Sequence, residues 1–331
     1  MSFAHLKASS DEAAVSGPVR VSIIIPVLNG EKHLGACLGS IFNMKFPRGS
    51  YEVIVVDNGS KDRSVDIAKK YGAKALVKPG VNVSAVRNSG ALESAGDILA
   101  FVDSDCLVSR DWLANALPYF RDPSIGMVGS LCAVDESDLT WVGKAWNSCM
   151  KKRLLCGETD RLGCGNIIIR KKCFAAISGF DAGLVTGEDD ELCHKLCEAG
   201  YRIYSDPSIK VYHLGEYRTI GQFFRKETWR GYETFRLFLR HKGRMNTKIT
   251  VFSVFFLANM LAFLLALAGV LALRRGYPVL LIPASMLVGL PAYLAVSTAK
   301  RCRKWGGLFH YALLYLIFGF ARGLAILRIK F

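Results

Sequence analysis

The chain has 331 residues, 51% of them hydrophobic, and its 43 lysines and arginines outnumber its 28 aspartates and glutamates. This length allows one large domain with an appendage or two ordinary domains. The positive charge is concentrated near the C-terminus, because residues 240–331 contain 13 basic residues and no acidic ones. Long apolar segments interrupt this basic region, which indicates binding to a membrane and argues against binding to nucleic acid.

The N-terminal residues 1–18 are predicted to be a loose polar lead-in. They contain no apolar run of the kind that a signal peptide needs, so we expect the region that follows to remain in the cytoplasm.

Short apolar runs alternate with helical patterns in the first half of the chain. The runs are Val21–Ile25, Val53–Val56 and Ile98–Val102. Such continuous runs are typical of strands buried on both faces. One helix is predicted to start at the capping signals Ser60 and Asp62 and to stop before Gly72, and another covers Ser84–Ser94. The alternation predicts an α/β fold with a mostly parallel, doubly wound sheet.

The pattern loosens after this region. Residues 135–160 are mixed and are interpreted as a mobile loop with a helix. A further strand is predicted at Asn166–Ile169, and a charged helix opens at Gly187–Glu191. Residues 216–248 are basic and aromatic, and their helical spacing predicts amphipathic helices at a membrane surface.

Three apolar segments end the chain, at residues 249–273, 277–299 and 308–327. About 20 apolar residues suffice for a helix to cross a bilayer. Arg322 interrupts the third segment, which is expected to span, with a helix lying in the interface as the alternative. The positive-inside rule then predicts a multi-pass protein of the cell (inner) membrane, with residues 19–215 cytoplasmic and the C-terminus outside.

Polar residues follow three of the predicted strands, where ligands of open α/β sheets bind. They are Asn29 and Glu31, then Asp57, and then Asp103 and Asp105. The chain has neither a GxGxxG nor a GxxxxGK[ST] loop, so a bound diphosphate would need another source of positive charge. Mn²⁺ or Mg²⁺ held by carboxylates can supply it.

These polar positions belong to longer matching stretches in a fixed order. The stretches are Val21–Asn29, Val53–Ser60, Arg87–Gly90, Phe101–Asp105, Gly179–Asp181, Gly187–Asp189 and Val211–His213. Across residues 20–215 the chain thereby resembles the family 2 glycosyltransferases with the GT-A fold. The resemblance implies a nucleotide-diphospho-sugar donor, with a UDP-sugar favoured, and a lipid-linked or saccharide acceptor.

The resemblance also implies roles for individual residues. The implied substrate-binding residues are Pro26, Asn29, Glu31, Asp57, Arg87, Asp103 and Glu188. Among them Asp57 would contact the base, and Asp103 the ribose or base side. Asp105 and His213 would hold the metal. Asp189 would be the general base that takes the proton from an acceptor hydroxyl, with Asp190 as the competing candidate.

The leading hypothesis is therefore a membrane-anchored, metal-dependent, inverting hexosyltransferase that builds a cell-surface polysaccharide or glycolipid, with a polyprenyl-linked acceptor. The alternative is a polyprenyl-phosphate sugar synthase, whose anionic acceptor needs no general base. A third hypothesis is an inactive transferase-like membrane scaffold.

Overall fold

The computed structural model describes residues 21–150, 156–215, 217–245, 247–273 and 277–327, so the predicted lead-in 1–18 lies outside the described residues. The chain divides into two compact units. The first comprises Met1–Asp135 and Arg153–Gly215, and the second Glu136–Lys152 and Glu216–Phe331.

The first unit contains all eleven described strands and six helices. The strands are β1 (Val21–Val27), β2 (Tyr51–Asp57), β3 (Lys74–Val77), β4 (Ile98–Phe101), β5 (Cys106–Val108), β6 (Ile125–Gly129), β7 (Ala133–Val134), β8 (Gly157–Thr159), β9 (Ile167–Arg170), β10 (Arg202–Ser205) and β11 (Val211–His213). The helices are α1 (Glu31–Phe42), α2 (Ser64–Lys70), α3 (Val83–Leu92), α4 (Trp112–Ala116), α6 (Lys171–Ala176) and α7 (Glu188–Glu198).

Eight strands form one sheet in the order β3-β2-β1-β4-β9-β6-β10-β8, and β5, β11 and β7 form a second, three-stranded sheet. The prediction of a mostly parallel sheet flanked by helices is confirmed. However, β9 runs antiparallel to both of its neighbours, β4 and β6, and β8 is antiparallel to β10. A buried apolar run reads the same in either direction, so the sequence pattern could not reveal this reversal.

The central strand β1 is buried along its whole length. Successive side chains of a strand point to opposite faces, so Ile23 joins the core cluster that contains Leu34 of α1, whereas Ile24 joins the cluster that contains Val86 of α3. This two-sided burial explains the continuous apolar run in the sequence.

Several element boundaries differ from the predictions by a few residues, and two of these differences have a clear structural reason. The strand β1 continues past Pro26 to Val27, because β1 pairs with β4 only over Val21–Ile24 and a missing N–H beyond that point breaks no bond of that ladder. The helix α2 begins at Ser64 rather than at the capping signals Ser60 and Asp62. Ser60 Oγ instead accepts the N–H of Asn29 in the loop after β1, and Asp62 Oδ1 accepts the N–H of Ser64 at the first residue of the helix.

The second unit is entirely helical among its described residues. Its helices are α5 (Trp141–Met150), α8 (Ile220–Arg240), α9 (Thr247–Leu273), α10 (Leu281–Cys302) and α11 (Leu308–Ile326). Within this unit the Trp146 ring of α5 packs against Phe223 of α8 and Phe318 of α11, at centroid distances of 4.7 and 5.2 Å. Three stretches that include α9, α10 and α11 are long and apolar enough to cross a membrane.

Candidate active site

The loops that follow β1 and β2 are bonded to each other. The backbone N–H of Asn29 donates to Ser60 Oγ (2.8 Å), and the N–H of Lys61 donates to Asn29 Oδ1 (2.9 Å). The N–H of Gly30 donates to Ser64 Oγ (2.9 Å). Asn29 has a φ of 52°, a left-handed conformation that asparagine tolerates better than most residues. Asn29 therefore fixes the relative position of the two loops.

Glu31 opens α1 beside the same loop. Its carboxylate accepts hydrogen bonds from Arg63, including one from Nε at 2.7 Å. These bonds to Arg63 lower the pKa of Glu31 from its usual value. Pro26, which precedes this loop, is buried in the C-terminal part of β1.

Asp57 ends β2 and is 1% exposed. Its Oδ2 atom accepts the N–H groups of Gly59 (2.9 Å) and Ser60 (2.8 Å). Its Oδ1 atom is buried and has no hydrogen-bond partner among the described residues. An unpaired buried acceptor is costly, so Oδ1 is suited to receive an N–H group of a ligand.

Arg87 of α3 connects two carboxylates that are far apart in the sequence. Its Nη2 donates to Asp103 Oδ1 and its Nη1 to Glu188 Oε1, both at 2.7 Å. The Arg87 side chain is only 4% exposed, whereas that of Asp103 is 32% exposed. The buried guanidinium thus orients Asp103 after β4 and anchors the start of α7 in the same site.

The two predicted metal ligands lie together. His213 pairs with Cys106 in the antiparallel ladder of β5 and β11, which brings its Nε2 atom to 3.5 Å from Asp105 Oδ2. The ligand atoms of Asp105, Cys106 and His213 all lie within 4.8 Å of one another. A carboxylate and an imidazole that converge in this way fit a divalent ion such as Mn²⁺.

The thiol of Cys106 contributes little to this donor set. A hydrogen bond with Cys132 and burial raise its pKa far above the usual value for a cysteine. Mn²⁺ and Mg²⁺ also prefer oxygen ligands to thiolate, so this buried thiol suits such an ion less than the Asp105 carboxylate does. Asp105 and His213 are therefore the residues that could hold the ion.

The start of α7 carries the acidic residues of the other half of the site. Asp190 forms an ion pair with Arg161 (2.9 Å), and its backbone N–H donates to Asp189 Oδ1 (3.0 Å). Burial raises the pKa of Glu188, and the charge of Asp189 adds to this effect despite the opposing charge of Arg87. The pair with Arg161 engages Asp190, which favours Asp189 as the residue that could act as a base.

Three glycines that the sequence analysis did not single out also line this site. A Cβ atom on Gly163 would lie 3.7 Å from Asp189 Oδ2, and one on Gly165 would lie 3.6 Å from Asp103 Oδ2. A Cβ atom on Gly215 would collide with Asp105 Oδ2 and would lie 3.0 Å from His213 Cε1. The closely spaced glycines of Gly163-Cys164-Gly165 could have indicated in the sequence that the backbone comes close to other groups here.

Comparisons with known proteins identify a family for the first half of the chain. The family model described as Glycosyl transferase family 2 matches residues 22–178. Glycosyltransferase AglE of Haloferax volcanii is 27% identical over 215 residues, which cover 62% of this chain and 70% of that protein. The pre-mycofactocin glycosyltransferase of Mycobacterium tuberculosis is 27% identical over 244 residues, which cover 69% of this chain but only 50% of that protein.

A third relative comes from Methanococcus voltae and is named dolichyl N-acetyl-alpha-D-glucosaminyl phosphate 3-beta-D-2,3-diacetamido-2,3-dideoxy-beta-D-glucuronosyltransferase. It is 24% identical over 211 residues, which cover 57% of this chain and 65% of that protein.

The fold also resembles that of a solved structure, the mannosyltransferase PcManGT from Pyrobaculum calidifontis in complex with GDP-Man and Mn²⁺. The TM-score is 0.60 at 19% identity, over 93% of this chain and 88% of that one. At this identity the likeness concerns the fold alone. The family model identifies residues 22–178 as a family 2 glycosyltransferase domain, and its fold is of the GT-A type.

Proposed function

We propose that this protein is a membrane-anchored, metal-dependent, inverting glycosyltransferase that moves a sugar from a nucleotide-diphosphate donor to a lipid-linked acceptor. The observation that carries the proposal is the Arg87 bridge. It ties Asp103, two residues before the candidate metal ligand Asp105, to Glu188, the neighbour of the candidate base Asp189. Donor and acceptor chemistry would thereby share one site.

The donor would lie along the C-terminal edge of the main sheet. The unpaired Oδ1 atom of Asp57 can accept an N–H group from the base, as the imide of uracil offers, and this supports a UDP-sugar. Asp103, held by Arg87 and partly exposed, can accept hydrogen bonds from ribose hydroxyls. Asn29 and Glu31 would shape the loop around the base.

Asp105 and His213 would hold Mn²⁺ or Mg²⁺. When bound, such an ion offsets the negative charge that develops on the departing diphosphate. The neighbouring Gly215 leaves the space beside Asp105 free of a side chain.

Asp189 would accept the proton of the attacking hydroxyl. A hydroxyl is a poor nucleophile, and a positioned carboxylate typically contributes a factor of about 10²–10⁴ to such a step. Direct attack on the anomeric carbon from the face opposite the diphosphate inverts that centre. A lipid-linked acceptor is supported by the apolar C-terminal helices and by the dolichyl phosphate in the name of the Methanococcus voltae relative.

The helices α9 and α10 would anchor the enzyme in the cell (inner) membrane. Few residues of their most apolar stretches are buried inside the protein, 11% for α9 and 22% for α10, which leaves apolar side chains for lipid. The basic residues that flank these helices favour a cytoplasmic family 2 domain.

The donor half is tested by incubating the purified protein in detergent with UDP-, GDP- and dTDP-sugars and Mn²⁺ or Mg²⁺. We expect metal-dependent release of one nucleoside diphosphate, loss of this release in Asp105→Ala, and its retention in Asp66→Ala, a control on the exposed face of α2. Release that persists in Asp105→Ala would contradict the metal site. Failure to bind any nucleotide-sugar would instead favour the scaffold hypothesis.

A further inference from the structure

The contacts of α11 hold it against one end of α9 and α10. Phe318 packs on Phe252 of α9 at a centroid distance of 5.7 Å, and Tyr315 shares a hydrogen bond of 2.8 Å with Thr298 of α10. Phe252 lies near the start of α9 and Thr298 near the end of α10. If both helices cross a bilayer, these two ends lie on the same side of it.

The last turns of α11 lie on the charged helix α8. Arg322 donates to Glu227 Oε2 at 2.7 Å and to Thr234 Oγ1 at 3.2 Å, and Gly231 of α8 allows close approach of Ala325. A helix with this many charged side chains is stable at a membrane surface, not in the hydrocarbon. Half of the most apolar stretch of α11 is also buried inside the protein, far more than in α9 or α10.

A groove of about 430 Å³ runs between α8 and α11. Its size falls within the range of about 300–1,000 Å³ that is usual for sites of small ligands. Its lining is aromatic and aliphatic with one cation, and consists of Phe224, Arg225, Thr228, Tyr232, Leu324 and Leu327. Thr228 is nearly buried, whereas Arg225 is exposed.

We propose that this groove lies at the membrane surface, on the side of the family 2 domain, and binds the phosphate-bearing lipid end of the lipid-linked acceptor, whose sugar carries the attacking hydroxyl. The phosphate would pair with Arg225, because guanidinium groups bind phosphate oxygens in pairs. The first part of the isoprenoid chain would lie on the phenyl, phenol and leucine side chains. In this arrangement α11 lies in the interface and does not span. The inference rests on the proposed function for the identity of the lipid.

The position of α11 is tested by protease removal of a C-terminal epitope tag from the full-length protein in sealed, oriented membrane vesicles. We expect the tag and the family 2 domain to be cut in vesicles of the same orientation. A tag that is cut only in vesicles of the opposite orientation would show that α11 spans, and would overturn the proposal.

The ligand is tested by photolabelling of the full-length protein in detergent with a benzophenone-bearing polyprenyl phosphate, without a nucleotide-sugar. We expect labelled peptides from α8 or α11, at least tenfold less labelling in Arg225→Ala, and unchanged labelling in Arg236→Ala, an exposed arginine outside the groove lining. Thr228→Leu, which adds bulk to the groove wall, should also reduce labelling. The thermal unfolding midpoint of each variant verifies its folding.

Labelling that is equal in Arg225→Ala and Arg236→Ala, or that a bilayer phospholipid competes as well as polyprenyl phosphate does, would overturn the inference. Failure of the proposed function would look different, because the protein would then label in the groove but would transfer no sugar to a lipid-linked acceptor. Conversely, sugar transfer to a lipid-linked acceptor with labelling outside the groove would support the proposed function and would exclude the groove as the binding site of the lipid.

Discussion

Two buried glutamates, one in each unit, differ in the number of cations that pair with them. Among the described residues of the first unit, Glu188 pairs with one cation, Arg87, which it shares with Asp103. Glu227 in the second unit has two cations of its own, since Arg322 donates to Oε2 at 2.7 Å and Arg230 to Oε1 at 2.9 Å. Burial raises the pKa of Glu188. Burial also opposes the ionisation of Glu227, but the two arginines and Tyr217 outweigh it and lower its pKa.

The ratio of carboxylates to cations distinguishes a site that can bind substrate from an ion-pair network that holds helices together. In the first unit the carboxylates outnumber their cation, and Asp103 remains 32% exposed, so negative charge is left over for substrate. In the second unit the Glu227 side chain is 1% exposed and each of its oxygens is paired. That network joins α8 to α11.

The sharpest test of this contrast is Asp189→Asn. Asp189 lies beside Glu188 but outside the Arg87 pair, so we expect sugar transfer to fall by a factor of about 10²–10⁴ while donor binding is unchanged. The measurement is kcat for transfer, together with donor affinity by titration. Asp190→Asn is the matched control and should lower kcat far less, because Asp190 is engaged by Arg161.

An unchanged rate in Asp189→Asn would shift the assignment to the polyprenyl-phosphate sugar synthase, whose anionic acceptor needs no base. A large loss in Asp190→Asn alone would move the base to that residue.

The stability of the two networks is compared by removing one arginine from each. Arg87→Met leaves Asp103 and Glu188 without their shared cation, and breaking such a buried pair costs about 3–5 kcal/mol. Arg230→Met leaves Glu227 with Arg322, and because Arg230 is 40% exposed we expect a cost of about 1 kcal/mol or less. Thermal and denaturant unfolding of both variants in detergent gives the two values. An equal loss of unfolding free energy in the two variants would contradict the idea that Glu188 depends on one shared arginine while Glu227 has a second one.

The space beside the metal ligands is tested by Gly215→Ala. The new methyl group would collide with Asp105 Oδ2. Disturbed ligand positioning typically lowers metal affinity about 10- to 100-fold, so we expect a correspondingly higher Mn²⁺ concentration for half-maximal donor turnover. Gly289→Ala, whose added Cβ atom meets open space in α10, is the control. Identical metal requirements in both variants would argue against ligation at Asp105.

The smallest expected effect is a pH dependence of stability with opposite signs for the two glutamates. The pKa of Glu188 is raised in the folded state. Its contribution to stability is therefore complete below the usual pKa of 4.5 and is lost as the pH rises through the folded pKa. The pKa of Glu227 is lowered, so its contribution is complete above 4.5 and is lost as the pH falls through the folded pKa.

Unfolding midpoints of Glu188→Gln and Glu227→Gln, followed from neutral pH to well below the usual glutamate pKa of 4.5, should therefore deviate from the wild-type profile in opposite directions on approaching acid. Profiles that run parallel to the wild type would show that neither carboxyl titrates with folding.

The sequence by itself determined the fold class and the candidate residues of the site. Continuous apolar runs that end in Asp57 and in Asp103 predict buried strands with polar ends, because burial on both faces leaves polar groups only where a strand stops. The apolar segments of the second unit were equally readable, since their length and lack of charge depend on no partner.

Only the tertiary structure decided which of these residues meet. The antiparallel direction of β9 and the register that places His213 beside Asp105 depend on pairings between distant parts of the chain. Arg322 interrupts an apolar segment in the sequence, yet in the structure it pairs with Glu227. Local patterns report the preferences of neighbouring residues, whereas the partner of a buried charge is set by long-range packing.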